Sequence, residues 1–112
     1  SGGAGGGMGA LLLDEPVAGL DPAHGERLMA ELAAWARAGW AVGVVLHDVA
    51  MAGRWADRAV LLDGGRVAAA GEAGEVLTEA RLSAVYGVGF ERHVSPATGR
   101  AALLPAWDAG GA

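Results

Sequence analysis

The sequence predicts an α/β fold with a parallel sheet, and three observations support this prediction. Apolar runs rich in Leu and Val stand at residues 10–13, 41–46 and 59–62. They do not alternate with polar residues, which is typical of strands covered on both faces. Segments with helical spacing separate them, so the order is strand, helix, strand, helix, strand.

The first strand is predicted at residues 10–13 and ends in Asp14-Glu15, and Pro16 then excludes a continuing helix. Asp21 is a predicted N-cap, followed by Pro22 in the first helical turn. Apolar residues continue at helical spacing until glycine ends the helix. These residues are Leu28, Met29, Leu32, Ala33, Trp35 and Ala36, with Gly39 at the end.

The second strand, 41–46, leads directly into His47-Asp48, and Asp48 is predicted to cap a helix reaching about residue 56. After the third strand, Gly64-Gly65 fits a tight hairpin turn. Two short helices near 73–77 and 79–86 and a hairpin around 96–99 complete the prediction. Polar residues thus follow two strands at their carboxyl ends, where parallel α/β folds place their chemistry.

The composition of the 112 residues excludes several classes of protein. The formal charge is −5, with eight Arg and no Lys, so no nucleic-acid footprint is indicated. The absence of cysteine excludes disulfides and thiolate metal sites. No apolar run approaches the roughly 20 residues needed to cross a bilayer. We therefore expect a cytoplasmic protein that reaches a membrane only through a partner.

Asp14 and Glu15 are the first candidates for chemistry. Adjacent side chains alternate in direction along an extended chain, so one carboxylate can face a metal and the other a reacting water. Mg²⁺ accepts one or two carboxylates together with phosphate oxygens and waters. The alternative to this metal-and-water interpretation is that Asp14 and Glu15 are two solvated acids that open a turn. His47 follows the next strand and is a further candidate, and the alternative for it is a capping or core histidine.

The neighbouring residues carry a resemblance to a known family. LLLDEPVAGLD at residues 11–21 closely resembles the Walker B motif and D-loop of ABC ATPases, and VVLHD at 44–48 resembles the segment around their histidine. RWADRAVLLDGGRVAAAGEAGEVL at 54–77 is similar to the segment that follows. The resemblance covers residues 10–86 and implies part of a P-loop NTPase (RecA-like) sheet with flanking helices and C-terminal β-hairpin elements.

The resemblance also implies roles for four residues. Asp14 matches the aspartate that helps hold Mg²⁺, and Glu15 matches the general base that acts on the attacking water. His47 matches the histidine that contacts the γ-phosphate of ATP. Asp21 matches the D-loop aspartate at the dimer interface, and it can cap the helix at the same time. His24 and His93 match no motif.

Other parts of the family's active site are not found in this sequence. It contains no Lys and no Gln, and hence no G-x-x-x-x-G-K-[ST] and no glutamine loop. Ser1-Gly2-Gly3 is either a remnant of the signature motif or a plain linker. We expect a chain that is truncated, carries a deletion or begins at a late start such as Met8. Its expected parts are a glycine-rich segment at 1–9, the C-terminal part of an ATPase domain at 10–87 and a tail with a hairpin at 88–112.

The end of the chain indicates a subfamily. LTEARLSAVYGVGFERH at 77–93 resembles ATPase subunits of importers for haem, iron–siderophores and cobalamin. This implies transmembrane permease subunits and a second ATPase copy in a head-to-tail dimer as partners, at the inner face of the plasma membrane. The alternatives are a non-catalytic remnant or interaction domain, and a soluble ABC-type ATPase without a role in transport.

Overall fold

A computed structural model describes residues 9–106. The chain forms two compact units, one ending at His47 and the other beginning at Asp48. The first unit contains strand β1 (Ala10–Asp14), helix α1 (Pro22–Arg37) and strand β2 (Ala41–Val45).

Strands β1 and β2 pair in parallel, in a register that runs from Ala10 opposite Ala41 to Asp14 opposite Val45. The long crossover between them is α1, as a parallel pair requires. Met29 and Leu32 of α1 are buried, three residues apart on one face of the helix. The prediction of two parallel strands joined by a capped helix is therefore confirmed.

The prediction that these strands are buried is wrong for the described residues. Leu12, in the middle of β1, is 81% exposed, and Val45 at the end of β2 is 46% exposed. Side chains of a strand alternate between two faces, and a parallel sheet normally has a layer on each. The described part of the first unit contains one helix beside a sheet of only two strands, which is too little to cover both faces, so Leu12 keeps its contact with solvent.

The second unit consists of short elements. In chain order these are α2 (Val49–Trp55), β3 (Arg58–Asp63), β4 (Arg66–Glu72), α3 (Ala73–Val76), α4 (Glu79–Tyr86), β5 (Phe90–Val94) and β6 (Ala101–Pro105). Asp48 caps α2 by accepting a hydrogen bond from the Met51 amide at 3.1 Å. None of the helices in the described part of the chain has the length and apolar character needed to span a membrane.

The third predicted strand does not join the parallel pair. Strand β3 instead pairs antiparallel with β4, in a separate two-stranded sheet. Gly64 and Gly65 have φ of 60° and 80°, which suits a two-residue hairpin turn with positive φ at both positions. This turn brings β4 back beside β3 at a small loop-closure cost, so β3 finds a partner only a few residues away. Strands β5 and β6 form the third two-stranded sheet, which is also antiparallel.

The core of the second unit lies where the two hairpins and the short helices meet. Leu82 of α4 is completely buried, and Leu103 of β6 is 2% exposed. Val76 and Leu77 bring the end of α3 into the same cluster. Arg81 supports that end, because its guanidinium donates to the carbonyl oxygens of Glu75 at 2.6 Å and Val76 at 3.2 Å.

Close packing of α2 against β6 depends on Gly53. A Cβ at this position would lie 2.6 Å from the carbonyl oxygen of Ala101, closer than real contacts allow. We expect Gly53→Ala to destabilise the chain by about 1–3 kcal/mol, because the backbone must shift.

Gly74 in α3 is the matched control, since nothing lies within 4 Å of its Cβ position. Gly74→Ala should be neutral or stabilise by up to about 1 kcal/mol. Urea unfolding measures both, and equal effects would contradict the packing argument.

Candidate active site

The parallel pairing of β1 and β2 determines where the predicted site residues stand. Asp14 is the last residue of β1 and lies opposite Val45, the last residue of β2. Glu15 and His47 follow one and two residues beyond these ends. The carboxyl ends of parallel strands meet at one edge of a sheet, so the loops that carry Glu15 and His47 begin side by side.

Glu15 leaves the strand in a left-handed backbone conformation. Its φ is 52°, the one positive value at a non-glycine residue in the described range 9–106. Its amide still donates to the Val45 carbonyl at 2.9 Å, and its own carbonyl accepts from the Ala18 amide at 3.1 Å. The expected alternation of Asp14 and Glu15 along an extended chain is therefore wrong at Glu15. The chain turns there to start the next loop, at a cost of about 1–2 kcal/mol.

This turn brings the Glu15 carboxylate to His47. The backbone N–H of His47 donates a hydrogen bond to Glu15 Oε1, and His47 Nε2 lies 3.5 Å from the same oxygen. The Glu15 side chain is 23% exposed, whereas the His47 side chain is 84% exposed. Glu15 is thus held by the neighbouring loop through one oxygen, and the His47 ring remains open to a ligand from solvent.

Asp14 is exposed at the end of β1. No group of three or more His, Cys, Asp or Glu side chains in residues 9–106 is arranged to hold a metal ion. A single exposed carboxylate fits Mg²⁺ when phosphate oxygens and waters complete the octahedron, the usual mode for this ion. Asp14 therefore fits a metal that arrives with a phosphate ligand, and it does not form a metal-binding cage.

Asp21 caps α1, as predicted. Its Oδ1 accepts from the His24 backbone amide at 2.8 Å, and His24 Nδ1 lies 2.9 Å from both carboxylate oxygens. The backbone N–H of His24, and then its ring, lower the pKa of the Asp21 carboxyl below its ordinary value. No motif in the sequence indicated a role for His24. Its spacing of three residues from a predicted N-cap was the available signal.

The second unit has a cavity of about 450 Å³, with none of the four predicted site residues in its lining. Small residues form much of the wall, and Asp57, Glu72, Arg92 and Arg100 contribute charges of both signs. Arg100 donates to the Ala56 carbonyl at 3.2 Å and lies 3.4 Å from Asp57. These contacts tie the loop before β6 to the end of α2.

Comparison with curated proteins gives close relatives over most of the chain. The hemin import ATP-binding protein HmuV of Rhodococcus jostii is 48% identical over 98 residues, which cover 88% of this chain and 34% of the relative. The protein of the same name from Streptomyces coelicolor is 47% identical over 95 residues, which cover 85% of this chain and 34% of that relative. The chain belongs to the ATP-binding subunits of ABC transporters.

The match is to the C-terminal part of these ABC ATP-binding subunits, and the chain spans about a third of the length of the curated relatives it matches. No protein-family model matches. A solved structure described as an inward-facing metal-chelate type ABC transporter aligns with a TM-score of 0.72 and 21% identity. It covers 88% of this chain and 40% of that one. This likeness confirms a mixed α/β fold of the ABC ATPase type.

Proposed function

We propose that this chain is part of the ATP-hydrolysing subunit of an ABC importer for haem, an iron–siderophore or cobalamin. The observation that carries the proposal is the Glu15 carboxylate, held by the His47 amide at the carboxyl ends of two parallel strands. The curated relatives support it, since they are named as hemin import ATP-binding proteins. Among the three ligands, we favour haem for this reason.

Glu15 is the proposed general base. Because Oε1 is occupied by the His47 amide, we assign Oε2 as the oxygen that takes a proton from the attacking water. The hydrogen bond fixes the direction of the carboxylate, and its 23% exposure leaves a path for water. General-base catalysis of this kind contributes about 10²–10⁴-fold to a rate.

His47 and Asp14 are proposed to face the nucleotide. The exposed His47 ring can donate a hydrogen bond to a γ-phosphate oxygen of ATP through Nε2, while its backbone positions Glu15. Asp14 would hold Mg²⁺ through a bridging water. When bound, Mg²⁺ neutralises charge that develops on the phosphate oxygens. Asp21 is proposed to contact the second ATPase copy.

The proposal extends to the sheet and the partners. We infer that β1 and β2 belong to a larger RecA-like parallel sheet that a phosphate-loop segment completes, and that residues 10–87 form the C-terminal part of the ATPase domain. The exposed Leu12 face supports this, because a parallel sheet is normally covered on both sides. The proposed partners are permease subunits and a second ATPase copy in a head-to-tail dimer. The proposed location is peripheral, at the inner face of the plasma membrane.

Reading the DNA upstream of this sequence tests the proposal first. We expect an in-frame G-x-x-x-x-G-K-[ST], and ATP hydrolysis by the resulting full-length subunit. Deleting the gene should then abolish growth on hemin as sole iron source. Uptake of iron–siderophores and of cobalamin is measured in the same deletion strain to test the other two ligands. The 112 residues contain no lysine, so a non-catalytic remnant is the second candidate. A stop codon or an unrelated gene directly upstream would favour that candidate.

A further inference from the structure

The ring of His24 contacts the Asp21 carboxylate more extensively than helix capping requires. An N-cap aspartate needs one oxygen to accept one backbone amide, and here Oδ1 accepts from the His24 amide at 2.8 Å. Yet His24 Nδ1 also lies 2.9 Å from both Oδ1 and Oδ2. Because an ionised carboxylate only accepts hydrogen bonds, the ring donates through Nδ1–H.

We propose that His24 is a positioning residue that fixes the Asp21 carboxylate for contact with the second ATPase copy. The inference rests on the proposed function, in which Asp21 lies at the dimer interface. The Asp21 side chain is 59% exposed and that of His24 is 63% exposed, so the pair is accessible to a partner. Without the ring, the His24 amide alone would hold the carboxylate through Oδ1, and ordering the unsupported Oδ2 on binding would weaken association.

The effect should appear in ATP-dependent dimerisation of the full-length subunit. The measurement is made in a Glu15→Gln background, where bound ATP persists, by analytical ultracentrifugation. We expect His24→Ala to raise the dimer dissociation constant roughly 3- to 10-fold, the range that corresponds to ordering one side chain. His24→Asn should stay close to the parent, since its amide nitrogen stands as many bonds from Cβ as Nδ1. His24→Gln places its nitrogen one bond further and should behave like His24→Ala.

A purely structural role for His24 predicts a different order. Ala is a better helix former than His, and Asn is no better than His. If His24 served only the stability of α1, the dimer of His24→Ala would be as tight as that of the parent or tighter, and the dimer of His24→Asn would be weaker. That order in the dimer measurement, or wild-type dimerisation of both His24→Ala and His24→Gln, would overturn the proposal.

A further variant separates this inference from the proposed function. Asp21→Ser removes the carboxylate but keeps a good N-cap. If Asp21→Ser weakens the dimer and His24→Ala does not, the role of His24 is wrong while the interface assignment stands. If Asp21→Ser leaves ATP-dependent dimerisation unchanged, Asp21 is not an interface residue, and the inference falls with it. A full-length subunit that does not dimerise with ATP would overturn the proposed function itself.

Discussion

Glu15→Gln in the full-length subunit is expected to lower ATP turnover by about 10²–10⁴-fold, while ATP affinity changes by less than about twofold. Glutamine keeps the size of the side chain, and its amide oxygen can still accept the hydrogen bond from the His47 backbone. The side chain therefore keeps its position, but no basic oxygen remains to take the proton from water. Steady-state hydrolysis and equilibrium binding of ATP measure the two effects.

Glu91→Gln is the matched control for this experiment. Glu91 also contacts a histidine, with its Oε1 2.8 Å from His93 Nε2, and its side chain is 51% exposed. It lies on β5, away in sequence from the Walker B motif. We expect wild-type turnover from Glu91→Gln. Wild-type turnover from Glu15→Gln would instead refute the assignment of Glu15 as general base.

Leu82→Ala is expected to cost about 2–5 kcal/mol in the free energy of unfolding of the second unit. Leu82 has no exposed surface, and it lies in the cluster formed by α3, α4, β3 and β6. Removing three carbons there loses hydrophobic transfer energy and leaves a cavity that the surrounding backbone fills only in part. Typical domains are stable by about 5–15 kcal/mol, so the loss takes a large share.

Leu62→Ala provides the same substitution at an exposed site. Leu62 of β3 is 61% exposed, so truncation removes little buried area, and we expect a cost below about 1 kcal/mol. Urea unfolding followed by far-UV circular dichroism compares the two variants. Similar costs for both would show that the Leu82 cluster does not provide the core of this unit.

Local signals in the sequence were sufficient to predict where α1 and α2 begin and where the hairpin between β3 and β4 turns. Asp21 and Asp48 are the N-caps of α1 and α2 as predicted, because capping needs only an acceptor within three residues of a free amide. The positive φ at Gly64 and Gly65 likewise follows from residue type. The motif around Glu15 identified the family, which the curated relatives confirm. The role of each site residue stays a prediction.

Contacts between distant residues could not be predicted in the same way. The hydrogen bond from the His47 amide to Glu15 joins residues 32 apart, and it requires the left-handed turn at Glu15 that no residue type indicated. The third apolar run was expected in the parallel sheet, yet it pairs with its nearest neighbour in sequence. A run of apolar residues shows that a strand is favoured, but it does not say which edge the strand will join.

The sequence by itself determined the family of this protein, the helix caps, the hairpin turn and the set of candidate carboxylates, because each depends on residue type over a short span. The tertiary structure alone decided that Glu15 is held by the His47 backbone rather than by its ring, and that the strands remain partly exposed. Glu15 and the His47 backbone meet because β1 and β2 pair in parallel. The strands remain partly exposed because the described part of the first unit contains only one helix beside this pair.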